Sequence, residues 1–152
     1  MPALFYHVTQ SPVEDVVAML LARALEQGWR VELRGRAPDQ MARFDHRLWL
    51  GPEEGFLAHG LAGGPHDALQ PVLLTTGPVA GAGRFQAVMS VHGAEVSAAE
   101  TEAHERVWIL FDGHDGQAVE HARGQWRALT RAGAKAQYWN DESGRWQKKA
   151  EA

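Results

Sequence analysis

The chain reads as a single α/β domain, a mostly parallel sheet covered by helices on both faces. Three observations carry that expectation. Short apolar runs suited to strands alternate with amphipathic helical stretches, opening as strand, helix, strand, helix. The most apolar run, Val107 to Phe111 (VWILF), has the composition of a central strand. The size and balance also fit: 152 residues, 45% hydrophobic and 22% charged, are ordinary for a globular domain. A chain of that length buries about two-thirds of its surface on folding.

Taken in order, Leu4 to Val8 is an apolar and aromatic run that reads as a buried strand. Ser11 is read as the N-cap of the next helix, with Pro12 in the first helical position and Glu14 completing a capping box. Val13, Val16, Val17, Leu20, Leu21 and Ala24 then mark one apolar face, which ends near Gly28. Trp29 to Leu33 alternates and reads as a second strand. Pro38 opens a second helix, with Met41, Phe44 and Leu48 on one face. Gly51-Pro52 stops it, because proline rejects a helical residue before it. The loop around that stop carries Trp49 and Phe56 beside Glu53 and Glu54. Two such large apolar residues either fold back on the core, the commoner case, or offer a contact to a partner.

The middle of the chain is rich in loops. Gly60 to Gln70 and Gly77 to Gly83 are dense in glycine, with a strand-like stretch, Pro71 to Thr76, between them. Phe85 to Val91 is another strand, and Ser97 with Glu100 forms a capping box over a short helix. After the central strand, Asp115 is a candidate N-cap for a helix from Gly116 to Ala132 that ends at Gly133. Ala134 to Trp139 reads as a last, edge-like strand. The domain is therefore expected to span residues 1–143, with 144–152 a basic tail prone to fray.

The absence of cysteine rules out disulfides, thiolate metal sites and a cysteine nucleophile, and it suits a reducing cytosol. The start, MPALFYHV, lacks the form of a signal peptide, and no apolar run approaches a membrane span. A cytoplasmic protein without a membrane contact is expected. A net charge of -4 argues against gripping nucleic acid through its phosphates.

Motifs for chemistry are missing. The first strand-to-helix turn, HVTQSPVED, contains no glycine, whereas a dinucleotide fingerprint needs glycines there for the pyrophosphate to approach. There is no phosphate-binding G-x-x-x-x-G-K-[ST], and Gly81-Ala82-Gly83-Arg84 lacks the context of one. The eight histidines, His7, His46, His59, His66, His92, His104, His114 and His121, form no close ligand pair on a helix face. No serine sits in a G-x-S-x-G elbow. No catalytic residue, metal ligand or cofactor is expected.

The strongest local signal is electrostatic. Arg123, Arg127 and Arg131 recur every four residues in the helix after the central strand, and each step turns only about 40° around the axis. They form one stripe with Trp126 beside it, while Val119, Ala122 and Leu129 are better placed to face the sheet. From Gly116 to Lys135 the charges are Arg123, Arg127, Arg131 and Lys135 against Glu120, a net of +3, so the rest of the chain carries -7. A solvated face is the common fate of such a stripe. The alternative is a patch that pairs with a carboxylate-rich ligand and holds an apolar anchor on the aromatic ring.

These features together resemble the chi subunits of bacterial DNA polymerase III. The resemblance runs over almost the whole chain. It includes Phe5-Tyr6, Asp45, Leu48-Trp49, Phe56, His59-Gly60, Pro71-Val72, the arginine-bearing last helix closing at Gly133, and Tyr138-Trp139 with Gly144-Arg145-Trp146. It implies a Rossmann-like α/β/α fold without a working nucleotide site and a non-catalytic role. It further implies a link between the clamp loader and the acidic C-terminal tail of single-stranded-DNA-binding protein. Carried over by position, Arg123, Trp126 and Arg127 would bind the tail, and the stripe adds Arg131. Val119 stands where a basic residue is usual. The surface around Trp49 and Phe56 resembles the part that docks the psi subunit, with Ala58 in place of a common proline. The rival readings are an α/β enzyme or binding protein for a nucleotide or sugar phosphate, and a protein that binds DNA directly.

Overall fold

The first strand, β1 (Ala3–Val8), lies inside the sheet and buries side chains on both faces, because helices cover each face. This computed structural model describes residues 2–49, 59–77, 79 and 81–152. It continues through α1 (Val13–Glu26), β2 (Val31–Arg34), α2 (Pro38–Trp49), β3 (His59–Leu61), β4 (Val72–Thr75), β5 (Ala87–Ser90), α3 (Ala98–Ala103), β6 (Arg106–Asp112), α4 (Gly116–Arg131), β7 (Ala136–Asn140) and β8 (Gln147–Glu151). The eight strands form one sheet in the order β3-β4-β2-β5-β6-β1-β7-β8. All pairings are parallel except β7 with β8. The Val107–Phe111 run lies in β6, inside the sheet between β5 and β1, as its apolarity predicts.

Helices cover both faces. On one, α1 contributes Val16, Val17, Leu20, Leu21 and Ala24 and α2 contributes Met41, Phe44 and Leu48 to a core with Leu4, Leu33, Trp108 and Leu110. On the other, Ala122 and Leu129 of α4 pack with Phe5, Val88, Ile109 and Ala136. The result is the expected three-layer α/β arrangement.

Five local readings need correction. Ser11 does not cap α1: Pro12 holds the N-cap position with φ -60° and ψ 145°, no side chain caps the helix, and helical residues start at Val13. Proline fixed φ there, but its extended ψ places it just outside the first turn. The second strand is shifted along the chain from Trp29 to Leu33. β2 runs from Val31 to Arg34 with all four residues buried, since Glu32 and Arg34 neutralise each other inside. The strand after α4 is not an edge, because β7 lies between β1 and β8. Residues 147–151 of the supposed frayed tail form β8, the true edge, held by backbone pairing to β7 and by Trp146 packing edge-on against Tyr6 at 4.9 Å. The loop expected from Gly60 to Gln70 also contains most of β3 and a 3-10 turn, Asp67–Leu69. The Ser97–Glu100 capping box is present in full.

Candidate partner-binding site

α4 begins where the sequence places it. The Asp115 carboxylate accepts from the backbone N–H of Gln117 and Ala118, satisfying donors that the first helical turn leaves open. At the other end Ala132 is the C-cap and Gly133 takes φ +91°, a left-handed conformation that costs glycine little. The helix is pinned to the sheet by Ala122 and Leu129 and by buried Gln125, whose Nε2 donates to Ala94 O at 3.0 Å. This fixes which side of α4 faces solvent.

That outer side carries Arg123, Arg127 and Arg131, all exposed. Arg123 Nη1 pairs with Glu120 Oε1 at 2.8 Å, one helical turn away. Among the described residues the guanidinium groups of Arg127 and Arg131 make no ion pair. The stripe is thus real in space, and two of its three charges are unpaired.

Trp126 sits on the flank of the stripe, partly buried. Its ring stands edge-on to Phe5 at 5.3 Å and to Tyr138 at 6.1 Å. Behind it, Phe111, Tyr138 and His7 continue the aromatic wall, and Tyr138 OH and His7 Nδ1 share a hydrogen bond of 2.7 Å. Burial pushes the Tyr138 phenol above its ordinary value, with the Arg123 charge opposing that shift and Glu142 adding to it. Arg123, Trp126 and Tyr138 therefore share one neighbourhood. A half-buried ring that is rigidly backed can receive an apolar side chain without first being ordered. Sequence reading found Trp126 but not its backing, because Phe5, His7 and Tyr138 come from strands at opposite ends of the chain. Val119 is turned toward the second core and packs partly against it, so this position extends the apolar wall and adds no charge to the stripe.

The second predicted contact lies far along the sheet, at the β3 edge. Trp49 ends α2 and is 52% exposed, so it is a surface residue and not part of the core. Its ring lies on His59 at a centroid distance of 4.5 Å. The fully buried His59 side chain has its Nε2 3.2 Å from both Oδ1 and the backbone oxygen of Asp45. Asp45, Trp49 and His59, spread over fifteen positions, thus meet in one place. Phe56, Ala58, the Gly51-Pro52 stop and the acids Glu53 and Glu54 lie outside the described residues.

A cavity of about 890 Å³ opens at the C-terminal ends of β1 and β6, where doubly wound folds place their ligands. Its groups are largely committed elsewhere. Thr9 N, Thr9 Oγ1 and Gln10 N in the first turn all donate to the Asp141 carboxylate, at 2.8, 2.8 and 3.1 Å. The N-terminus of α4 already holds the Asp115 carboxylate. Glu14, Asp112 and Asp115 line the same cavity against Arg36 and the imidazoles of His92, His114 and His121, so that Arg36 is its one permanent cation among the lining residues. No group of three or more potential metal ligands occurs among the described residues, and none of the helices is long and apolar enough to cross a membrane.

The family model described as DNA polymerase III chi subunit, HolC, matches residues 1–137. No curated protein matches the chain.

Proposed function

The chain belongs to the DNA polymerase III chi subunit family, and we propose that it acts there as a non-catalytic adaptor. In this reading it holds the acidic C-terminal tail of single-stranded-DNA-binding protein on the outer face of α4, and joins it to the clamp loader through a psi-type partner. The observation that carries the reading is the pair of exposed, unpaired arginines, Arg127 and Arg131, beside Arg123 and the rigidly backed Trp126 ring. Carboxylates of the tail would accept charge-assisted hydrogen bonds from the guanidinium groups, and its terminal apolar side chain would rest on the Trp126–Tyr138 wall. Exposed ion pairs contribute only about 0.2–1 kcal/mol each, so binding needs several of them together with apolar burial. Moderate, salt-sensitive affinity follows, which suits an exchangeable tether.

The psi-type contact is proposed for the β3 edge, where Trp49 is exposed and held by His59 and where Phe56 is expected to contribute. A large half-exposed tryptophan on a fixed base is the kind of residue that anchors an interface. Direct nucleic-acid binding and a cofactor form no part of the proposal, and cytoplasmic work follows from the replication role.

The test is titration of a fluorescent peptide carrying the last residues of the cognate single-stranded-DNA-binding protein, at low and high salt. The Arg123→Ala, Arg127→Ala double variant is run beside the wild type after its fold is checked. The proposal expects salt-sensitive binding that the double variant weakens several-fold. Full binding by the variant would move the site off α4, and no binding by the wild type at low salt would sink the function.

A further inference from the structure

The three arginines of the stripe are not equivalent, and the difference comes from one residue. Glu120 lies a turn before Arg123 and places Oε1 2.8 Å from its Nη1. Both side chains are well exposed, at 66% and 58%, and among the described residues the Glu120 carboxylate makes no other ion pair. Within Gly116 to Lys135, Glu120 is the lone acid against four cations. The neighbourhood that its partner Arg123 reaches is the one that would seat the end of an acidic tail, next to Trp126 and Tyr138.

Resting on the tail-binding reading above, we propose that Glu120 is a built-in competitor for the partner's carboxylates and sets both the strength and the register of docking. An incoming carboxylate must share the Arg123 guanidinium with the Glu120 carboxylate, which already holds Nη1, or displace it. It meets Arg127 and Arg131 with no such exchange. The acidic segment therefore engages Arg127 and Arg131 first, and the Arg123 contact forms last and adds least. The side chain at position 120 tunes affinity without touching the fold, since its removal uncovers a cation and buries nothing. An exposed ion pair is worth little, so displacing it costs little, and the expected effect is correspondingly modest.

The experiment is a double-mutant cycle read by anisotropy of the same fluorescent tail peptide, with wild type, Glu120→Gln, Arg123→Ala and the double variant Glu120→Gln, Arg123→Ala. Glu120→Gln should bind about two- to fivefold tighter than wild type at low salt, the upper part of the range that one exposed pair spans. In the Arg123→Ala background the same substitution should give less than half of that gain, because the cation it uncovers is gone. Arg123→Ala alone should weaken binding less than Arg127→Ala does. A Glu120→Gln protein that binds no tighter while the wild type binds normally would overturn this inference and leave the adaptor function standing. A gain that persists in full without Arg123 would also overturn it, by showing a general field effect. Failure of the wild type to bind at low salt would overturn the adaptor function, and this inference with it.

Discussion

Arg34 and Arg127 carry the same side chain in opposite settings. Arg34 is buried in β2, where Nε and Nη2 bond the Glu32 carboxylate at 2.9 and 3.0 Å. Its remaining donors reach Glu100 and the backbone oxygen of Glu95. Thr75 Oγ1 also donates to Glu32, at 2.7 Å. Burial alone would favour a neutral Arg34, but the two carboxylates outweigh it and hold the guanidinium charged. Arg127 is exposed on α4 with no ion pair among the described residues. The contrast separates a charge that holds the fold from a charge that is available to a partner. A buried ion is tolerable only when every donor is answered, whereas an exposed one can wait for its ligand in water.

The largest expected effect tests the first half of that contrast. Arg34→Ala leaves Glu32 buried without its cation, and should lower the unfolding free energy by about 3–5 kcal/mol in urea titration. A loss under about 1 kcal/mol would mean that water reaches this network and that the two arginine settings differ less than their burial indicates.

Acid should act on the same paired carboxylates. Burial alone would raise the Glu100 and Asp141 carboxyls. Arg34 and Ser97 hold Glu100 below its ordinary value, and the donors of Thr9 and Gln10 do so for Asp141. A folded-state value below the unfolded one gives stability that is complete above the ordinary carboxylate range, about pH 4, and is lost as pH falls through the lowered value. Unfolding free energy measured from neutral pH downward should therefore drop below about pH 4, and Asp141→Asn should flatten part of that drop. An unchanged acid limb in Asp141→Asn would remove Asp141 from the account.

On the exposed side the signs reverse. The double variant Arg127→Ala, Arg131→Ala should change unfolding free energy by less than about 0.5 kcal/mol. It should weaken the tail peptide about tenfold, the combined worth of two exposed pairs. Raising salt gives the smallest separation. Peptide affinity should fall steadily, while thermal unfolding moves little, since the Arg34 network is screened far less than the stripe.

Much of the fold was legible because its signals are local. The apolar run at Val107–Phe111, the Ser97–Glu100 capping box and the Asp115 cap each need only neighbours in sequence. The errors came where a distant element decides. β7 looked like an edge because β8, a polar strand of Gln147 to Glu151, has no apolar pattern and is recognisable only by its pairing to β7. That β2 extends to Arg34 with its charges buried was not legible, because Glu32 meets Thr75 and Arg34 meets Glu100 only after the chain folds. The candidate site divides the same way. The arginine stripe follows from helical spacing, but the wall behind Trp126 unites Phe5 and Tyr138, which pair across β1 and β7. Whether Trp49 faces core or solvent was open in sequence, because its spacing suits either, and its 52% exposure decides it.

The most direct test of the central claim is an NMR titration of the isotopically labelled full chain with the tail peptide, following backbone amides and the six tryptophan indole N–H signals. The account predicts shifts along the outer face of α4 and at the Trp126 indole, with the Trp49 indole and the Arg34 strand unmoved. Shifts confined to Trp49 and β3, or none at a peptide concentration well above that of the protein, would contradict it.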